Sequence, residues 1–502
     1  MKRVVIIGGG ISGLSAAHRT LELADESGQP INLTLLEASG RVGGIVQTHK
    51  RDGFLIETGP DSFISEKPAA LELARRLGLQ SHLIETNQNY RRSFVVQGGK
   101  LRPVPQGFHL LAPAEMWSFI KSDIFSWRGK LRMAMDLALP RGTTNGDVDE
   151  SLADFVRRRL GHEALERMAQ PMIGGIYTAD PEKLSLRATM PRFLEMEREH
   201  RSLIRALRKQ NRSPTVGEGS DRGGSGSSHL QRASGARYSL FLSFDHGMQL
   251  LTDKLAERVS DFKSQIAAEH VLESRIRLNT AVESISIERA SRSDEAQPTW
   301  QIRTSHGETL VADALCLALP AHTSARLLRD VISQLASELD TISYASSATL
   351  NLAYRRDDIA HALDGFGFVV PFIENRSIIA CTFSSVKFAG RAPDGFVLLR
   401  AFIGGALQPE MLELTEPELI ARVRDDLRDL LGINAAPLFT ELQRWEHSMP
   451  QYHVGHMDRV RRITDRVASL PQLSLAGNAF SGPGLPDCIR SGEDAAEKIR
   501  SR

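Results

Sequence analysis

Apolar and polar positions along this chain fall into strand, turn and helix blocks at both ends, with a longer and more varied stretch between them. Val4–Ile7 is a short, β-branched apolar run of the kind that forms a buried parallel strand. Glycines at positions 8, 10 and 13 follow, and the pattern from about Ser12 to Leu23 predicts a helix. "INLTLLEAS" predicts a second strand ending at Glu37. Near the other end, the chain repeats this logic: a strand at about Leu473 to Ala476, a Gly/Asn/Pro turn, then a helix from near Leu485.

Between these ends, "YSLFLSFDHGMQLLTDKLAERV" reads as strand, turn and helix. "RLNTAVESISIE", which contains Val282, and "GETLVADALCLALP" read as strands by β-branched enrichment. From Phe108 to about Gln210 the pattern is largely helical, most clearly in "ESLADFVRRRLGHEALERMAQPMI", whose arginines read as a solvated face. "GFHLLAPAEMWSFIKSDIFSW" carries two Trp and three Phe with few charges, which suits a core helix or a membrane-facing segment. "SPTVGEGSDRGGSGSSHLQRASG" has almost no large apolar residue and predicts a flexible loop.

A chain of 502 residues is too long for one ordinary core, so two or three domains are expected. With 62 basic and 61 acidic side chains there is no electrostatic reason to expect nucleic acid as a partner. The three cysteines, Cys316, Cys381 and Cys488, are odd in number and far apart, which argues against disulfides and zinc and for a reducing compartment. No window of about 18 apolar residues predicts a spanning helix. Gly8–Gly10 interrupts the first apolar run, so a secretory signal is set aside and a cytoplasmic location is expected.

The chemistry begins with Gly8, Gly10 and Gly13, which complete G-x-G-x-x-G. In such a motif the first glycine permits a tight turn, the second lets backbone approach a pyrophosphate, and the third lets helix pack on strand. The helix that follows points its amides at the phosphates. Glu37 stands where an acidic residue accepts ribose hydroxyls, and its charge disfavours the 2′-phosphate of NADP. "EASGRVGG" then places Arg41 near the pyrophosphate and brings Gly43 and Gly44 close to the cofactor. In "GFLIETGPDSF", Gly59 and Pro60 make a sharp turn before Asp61 and Ser62. Each stretch alone is a surface turn; their order after the βαβ unit gives them weight.

The helix near Leu485 would aim its positive end at a flavin ring, or the turn before it merely closes the sheet. Together the two ends predict one cofactor domain assembled from both termini, with the middle inserted. His453 and His456 are three apart, yet no partner pattern supports a metal, and no G-x-S-x-G elbow supports a serine nucleophile.

The succession "VVIIGGGISGLSAA", "LLEASGRVGGIVQT", "IETGPDSF", "PMIGGIYTADPEKLSL", "RWEHSMPQYHVGH" and "GLPDCIRSGEDAA" resembles the porphyrinogen oxidases of haem biosynthesis, flavoproteins of the monoamine oxidase superfamily. The resemblance covers nearly the whole chain, and the last two motifs are similar to the soluble bacterial branch. It implies an α/β fold, α+β overall, with a Rossmann-like FAD-binding domain of p-hydroxybenzoate hydroxylase type, an inserted mixed-sheet substrate domain and a helical lobe. On this sequence the FAD domain would take residues 1–85, 240–320 and 440–502, the substrate domain 86–107 and 321–439, the lobe 108–210, and a flexible loop 211–239.

The implied activity is FAD-dependent oxidation of coproporphyrinogen III to coproporphyrin III by dioxygen, and also of protoporphyrinogen IX to protoporphyrin IX. Carried over residue by residue, FAD contacts fall at Gly8, Gly9, Gly10, Ile11, Ser12, Gly13, Glu37, Ala38, Arg41, Gly44, Gly59, Pro60, Asp61, Ser62, Val282, Trp445, Pro483, Gly484 and Leu485. Substrate contacts fall at Gly174, Gly175, Phe366, Val369 and Phe402. Where mitochondrial and plant members place an arginine before the Gly-Gly hairpin, this chain has Ser93, which leaves Lys67 or Arg92 as the partner of a propionate. The resemblance also implies peripheral contact with the inner face of the cell membrane and a homodimer. The flavin itself carries the chemistry, so no catalytic side chain and no metal is expected. An amine oxidase or carotenoid desaturase shares the N-terminal motifs, and a non-catalytic flavin-binding protein is the alternative from another class.

Overall fold

Val4 and Ile6 pack into one hydrophobic core, and Val5 and Ile7 into another. The first strand, Lys2–Ile7, is therefore buried on both faces, which is why its sequence is continuously apolar. A computed structural model describes residues 1–142, 148–212, 241–262, 272–288 and 298–500. In it this strand is the centre of a five-stranded parallel sheet ordered Leu272–Arg277, Ile31–Leu36, Lys2–Ile7, Ala314–Leu317 and Leu473–Leu475. Helices Ile11–Ser27, Gln249–Ser260 and Leu485–Arg500 cover one face. The other face carries a three-stranded antiparallel sheet, Val282–Glu288, Thr299–Thr304 and Thr309–Ala312, and helices Ala321–Leu328, Ser333–Asp340 and His456–Ala468. The chain leaves the first strand toward Ile31–Leu36 on one side and reaches Ala314–Leu317 on the other only after the middle segments, so a crevice opens at the C-terminal end of the first strand.

Both internal segments read as strands hold strand residues, and each is divided between two sheets. "RLNTAVESISIE" divides between Leu272–Arg277 and Val282–Glu288, turning at Asn279 with φ 51°. "GETLVADALCLALP" divides at Asp313 into Thr309–Ala312 and Ala314–Leu317. β-branched enrichment marks strand residues but not the point at which the chain passes from one sheet to the next.

A second, seven-stranded sheet runs Phe439–Pro450, Tyr344–Arg355, Phe396–Gly404, Ile378–Phe383, Gly367–Val369, Phe94–Gln97 and Lys100–Pro103. It is mixed, because Gly367–Val369 pairs in parallel with Phe94–Gln97. Leu399, Ala401 and Ile403 point to one face, under helix Glu416–Leu431. Leu398 points to the opposite face, where Phe54 and Ile56 meet it. That face is where the second sheet meets the nucleotide-type domain.

The region read as helical from Phe108 departs from that reading at three places. It opens with a small antiparallel pair, Phe108–His109 and Ala112–Pro113. The long amphipathic run breaks at Gly161, φ 96°, giving Leu152–Arg159, then His162–Ala164, a π-helical turn Leu165–Ala169 and Gln170–Tyr177. Its arginines are not simply solvated: Arg159 is buried and its Nε lies 2.8 Å from Asp136 Oδ1. Arg158 pairs at 2.6 Å with both Glu150 and Glu197. The expected loop 211–239 lies, from residue 213 on, outside the described residues.

Candidate active site

The three motif glycines stand in different surroundings. A Cβ on Gly8 would lie 2.3 Å from the Ala318 carbonyl oxygen, and one on Gly13 would lie 1.9 Å from that of Gly8. At Gly10 nothing stands within 4 Å of the same position. The first and third are thus demanded by packing, whereas the second leaves an open cradle beside the first-turn amides of helix Ile11–Ser27, which have no carbonyl one turn back. Gly9, Ile11 and Ser12 complete this turn. The donor set and the cradle fit a pyrophosphate.

Glu37 closes the turn from the second strand. Its Oε2 accepts the Gly9 N–H at 2.7 Å, and its Oε1 accepts the backbone and hydroxyl of Ser39, both at 2.8 Å. Thr280 N–H donates to the Glu37 carbonyl at 2.8 Å, which brings the start of the Val282 strand alongside. Ala38 begins the loop that returns over the turn, where Gly43 N–H reaches the Gly9 carbonyl at 2.8 Å and a Cβ on Gly44 would lie 3.3 Å from Gly10 Cα. Arg41 shapes this loop by donating to the carbonyls of Val42, Gly44 and Val46 at 3.1, 2.6 and 3.2 Å.

The C-terminal turn arrives at the same crevice. Helix Leu485–Arg500 lies against helix Ile11–Ser27 so closely that a Cβ on Gly492 would be 2.2 Å from the Ser12 carbonyl oxygen. The Cys488 thiol is buried beside Ser12, and burial pushes its pKa up to about 12, so it is a thiol at neutral pH. Pro483 and Gly484 therefore lead into a helix, starting at Leu485, whose first turn shares a wall with the first turn of the other. Lys67 reaches across to this turn and binds Asp487 at 2.7 and 2.6 Å.

Between the two sheets, Thr58 and Gly59 form a tight turn. A Cβ on Gly59 would lie 1.7 Å from the Ile45 carbonyl oxygen. The Thr58 carbonyl accepts the Trp445 indole at 3.0 Å, the Thr349 hydroxyl at 2.9 Å and Arg400 Nη2 at 3.3 Å. Beyond Pro60, the Asp61 carboxylate accepts Lys387 Nζ at 3.0 and 2.9 Å and the Ser62 hydroxyl at 2.7 Å. Burial alone would raise its pKa, but the Lys387 ammonium and the Arg400 guanidinium hold it well below the usual carboxylate range.

On the sheet face toward this turn, Val369, Ala380, Phe402 and Thr349 stand in one cross-strand row. Gly175 faces the row: a Cβ on it would lie 3.8 Å from Val369 Cγ1. Gly174, one step earlier, accepts the Thr178 N–H at 2.9 Å, where the helix ends in a left-handed residue of φ 49°. Phe366 is buried where the chain enters strand Gly367–Val369, its N–H bonded to the Arg92 carbonyl at 2.9 Å. The structure thus brings Gly174, Gly175, Val369 and Phe402 together. Lys67 and Arg92 stand apart, each held by a carboxylate: Asp487 for Lys67, and for Arg92 Asp364, whose carbonyl also accepts Arg92 Nε at 2.6 Å.

His456 is fully buried and stacks on Tyr452 with ring centroids 4.1 Å apart, while His453 bridges to Leu184. A separate group, His82, Asp245 and His246, has both His Nδ1 atoms on Asp245 Oδ1, at 3.1 and 2.6 Å. Sequence reasoning missed Arg400, Lys387 and Thr349. A usable signal existed for the first: Arg400 interrupts "FVLLRAFIG", an otherwise apolar strand.

A parallel sheet whose first turn fits a pyrophosphate, joined to a mixed sheet with an apolar row, is the architecture of a dinucleotide-dependent oxidoreductase. The chain belongs to the flavin-containing amine oxidoreductase family, whose profile matches residues 11–500. Its cofactor is FAD. Coproporphyrinogen III oxidases from Bacillus subtilis and Staphylococcus aureus are 34% and 33% identical over 98% and 99% of this chain, and 97% and 99% of those proteins. The chloroplastic protoporphyrinogen oxidase of Nicotiana tabacum is 30% identical over 99% of this chain and 85% of that protein. A solved structure from Exiguobacterium, assigned as a protoporphyrinogen oxidase, superposes with a TM-score of 0.81 at 30% identity, covering 100% of this chain and 99% of that one. Among the described residues, no helix is long and apolar enough to cross a membrane.

Proposed function

We propose that this protein oxidises coproporphyrinogen III to coproporphyrin III with dioxygen as the final acceptor. The observation that carries the reading is the end-to-end likeness to coproporphyrinogen III oxidases, at 34% identity over 98% of the chain. Gly8–Gly13, Glu37, Ala38, Gly44, Gly59–Ser62, Val282, Trp445 and Pro483–Leu485 would hold FAD, with Arg41 fixing the loop that covers it. When bound, FAD supplies the acceptor for a hydride leaving the substrate.

The protein's own residues position the substrate and exclude water. Val369 and Phe402 offer apolar walls for a tetrapyrrole, and Gly175 leaves room for a ring where a side chain would stand against Val369. The Gly174 carbonyl keeps a second lone pair for a pyrrole N–H after accepting Thr178. Phe366 backs the strand that carries Val369. Propionates would be met by Arg92 or Lys67, each exchanging an aspartate for a substrate carboxylate.

The test is anaerobic mixing of the holoenzyme with each porphyrinogen. Coproporphyrinogen III should bleach the flavin absorption, and admitting air should restore it with release of fluorescent porphyrin. A flavin that stays oxidised with coproporphyrinogen III but bleaches with amines overturns the proposal. Faster bleaching by protoporphyrinogen IX would move the preferred substrate toward that named for the tobacco relative. The lobe also presents Trp117, Trp127, Leu131 and Met135 to solvent, beside Lys121, which suits peripheral contact with a membrane surface.

A further inference from the structure

The fold buries more positive than negative charge behind the Thr58–Gly59 turn. Three cations, Lys387, Arg391 and Arg400, face two buried carboxylates, Glu57 and Asp61; the third carboxylate that acts on Arg391, Asp245, is partly exposed and held by His82 and His246. The carboxylates are already engaged. Glu57 accepts Met248 N–H and the Thr48 hydroxyl, both at 2.8 Å, and lies 3.9 Å from Arg391. Asp61 is taken by Lys387 and Ser62. Arg391 further donates to the Ser243 hydroxyl at 2.8 Å and the Phe244 carbonyl at 3.0 Å.

Arg400 makes no direct ion pair among the described residues, although it is only 4% exposed; it acts on Asp61 through space, and that carboxylate already holds Lys387. Its Nη2 donates to the Thr58 and Gly59 carbonyls, and its Nε has no partner. Its guanidinium lies 4.7 Å from the centre of the Phe402 ring, which caps it on the side of the substrate row. A guanidinium does not shed its proton in a protein, and an uncompensated buried charge is strongly unfavourable. Its donors point to the Gly59 turn, not to the Val369–Phe402 row. The missing counter-charge therefore belongs on the cofactor side.

We propose that Arg400 is a positioning residue whose buried charge stabilises the negative charge that FAD gains on reduction. The proposal rests on the assignment of the Gly59 turn to FAD above. A hydride brings two electrons and one proton, so a neutral oxidised ring system becomes an anion when it accepts one. Dioxygen then removes the two electrons and, with a second proton, leaves as hydrogen peroxide. A fixed cation on the Gly59 turn favours the first half of this cycle without touching the substrate.

The test is the flavin midpoint potential of the holoenzyme, with its affinity for sulfite, which adds to the ring as an anion, as a second readout. Arg400→Gln should shift the reduction equilibrium at least tenfold toward oxidised flavin, about 30 mV for this two-electron couple. Sulfite binding should weaken by a similar factor, and Arg400→Lys should recover most of both. An Arg400→Gln protein that holds FAD with an unchanged potential overturns the proposal, and so does one in which only KM for the porphyrinogen rises. Should Arg400→Gln fail to fold, Lys387→Gln removes a more accessible cation of the same group and should give a smaller shift in the same direction; no shift overturns the proposal. A wild-type holoenzyme that ignores porphyrinogens while these shifts appear refutes the substrate assignment alone.

Discussion

The first turn of the N-terminal helix and the middle of the last helix touch backbone to backbone: a methyl group on Gly492 would lie 2.2 Å from the Ser12 carbonyl oxygen and 3.0 Å from Ala16 N. Neither atom is a flexible side chain, so relief requires the helices to separate. That separation would also part the two turns assigned to FAD. Gly492→Ala should lose about 1–3 kcal/mol of stability through overpacking and weaken FAD binding at least tenfold. Thermal melting of the apoprotein and fluorescence titration with FAD measure the two effects. Native-like melting with native FAD affinity would show that the helices yield without consequence.

Glu37 is held in place by the protein's own backbone, by Gly9 N–H on one oxygen and Ser39 N–H on the other. Preorganisation of this kind makes the carboxylate a ready acceptor for ribose hydroxyls. Glu37→Gln keeps the shape but loses charge and one acceptor, so FAD affinity should fall about tenfold, or about 1.4 kcal/mol. Equilibrium dialysis against FAD checks it. An unchanged dissociation constant would mean that Glu37 serves only the turn.

How much of this was legible in the sequence follows from which interactions are local. The Gly8–Gly13 turn and Glu37 could be read because each depends on residues near one another in the chain, whereas the mixed sheet was expected only from the family resemblance. The break at Gly161 escaped because the flanking apolar pattern continues through it, while the backbone demands φ 96° there. Lys67 and Arg92 looked like free cations, since their partners Asp487 and Asp364 are 420 and 272 positions away. Arg159 looked solvated for the same reason: Asp136 comes from a different helical segment. Charges reveal their environment only once distant segments have met.

The proposed contact with a lipid surface would fall on two exposed tryptophans of the lobe. Trp117 and Trp127 are exposed, whereas Phe119, Ile124 and Phe125 between them are buried, so the segment has one face in the core and one outside. Lys121 and Lys130 lie over the indoles, 5.9 and 4.6 Å from their centres. Trp117→Ala with Trp127→Ala should reduce co-sedimentation with anionic vesicles at least threefold and leave turnover in free solution within twofold. Equal sedimentation of the double variant would place the lipid contact elsewhere or exclude it.

His456 makes stability depend on pH in a direction that can be worked out. Burial first, then the nearby Arg459, pushes its pKa down to about 4. In the unfolded chain the value is about 6.5. Between these values the unfolded state binds more protons than the folded one, so stability is complete above about pH 6.5 and falls as the pH drops toward 4. By pH about 5 the loss amounts to about 2 kcal/mol. His456→Phe keeps a ring on Tyr452, whose hydroxyl holds the Asn478 carbonyl in the C-terminal turn, but has no proton to gain. Melting at pH about 7.5 and about 5 should therefore show a smaller acid-induced drop for His456→Phe than for the wild type, and FAD retained to lower pH. Equal drops would mean that the imidazole takes up its proton as readily in the folded protein as in the unfolded chain, against its burial beside Tyr452.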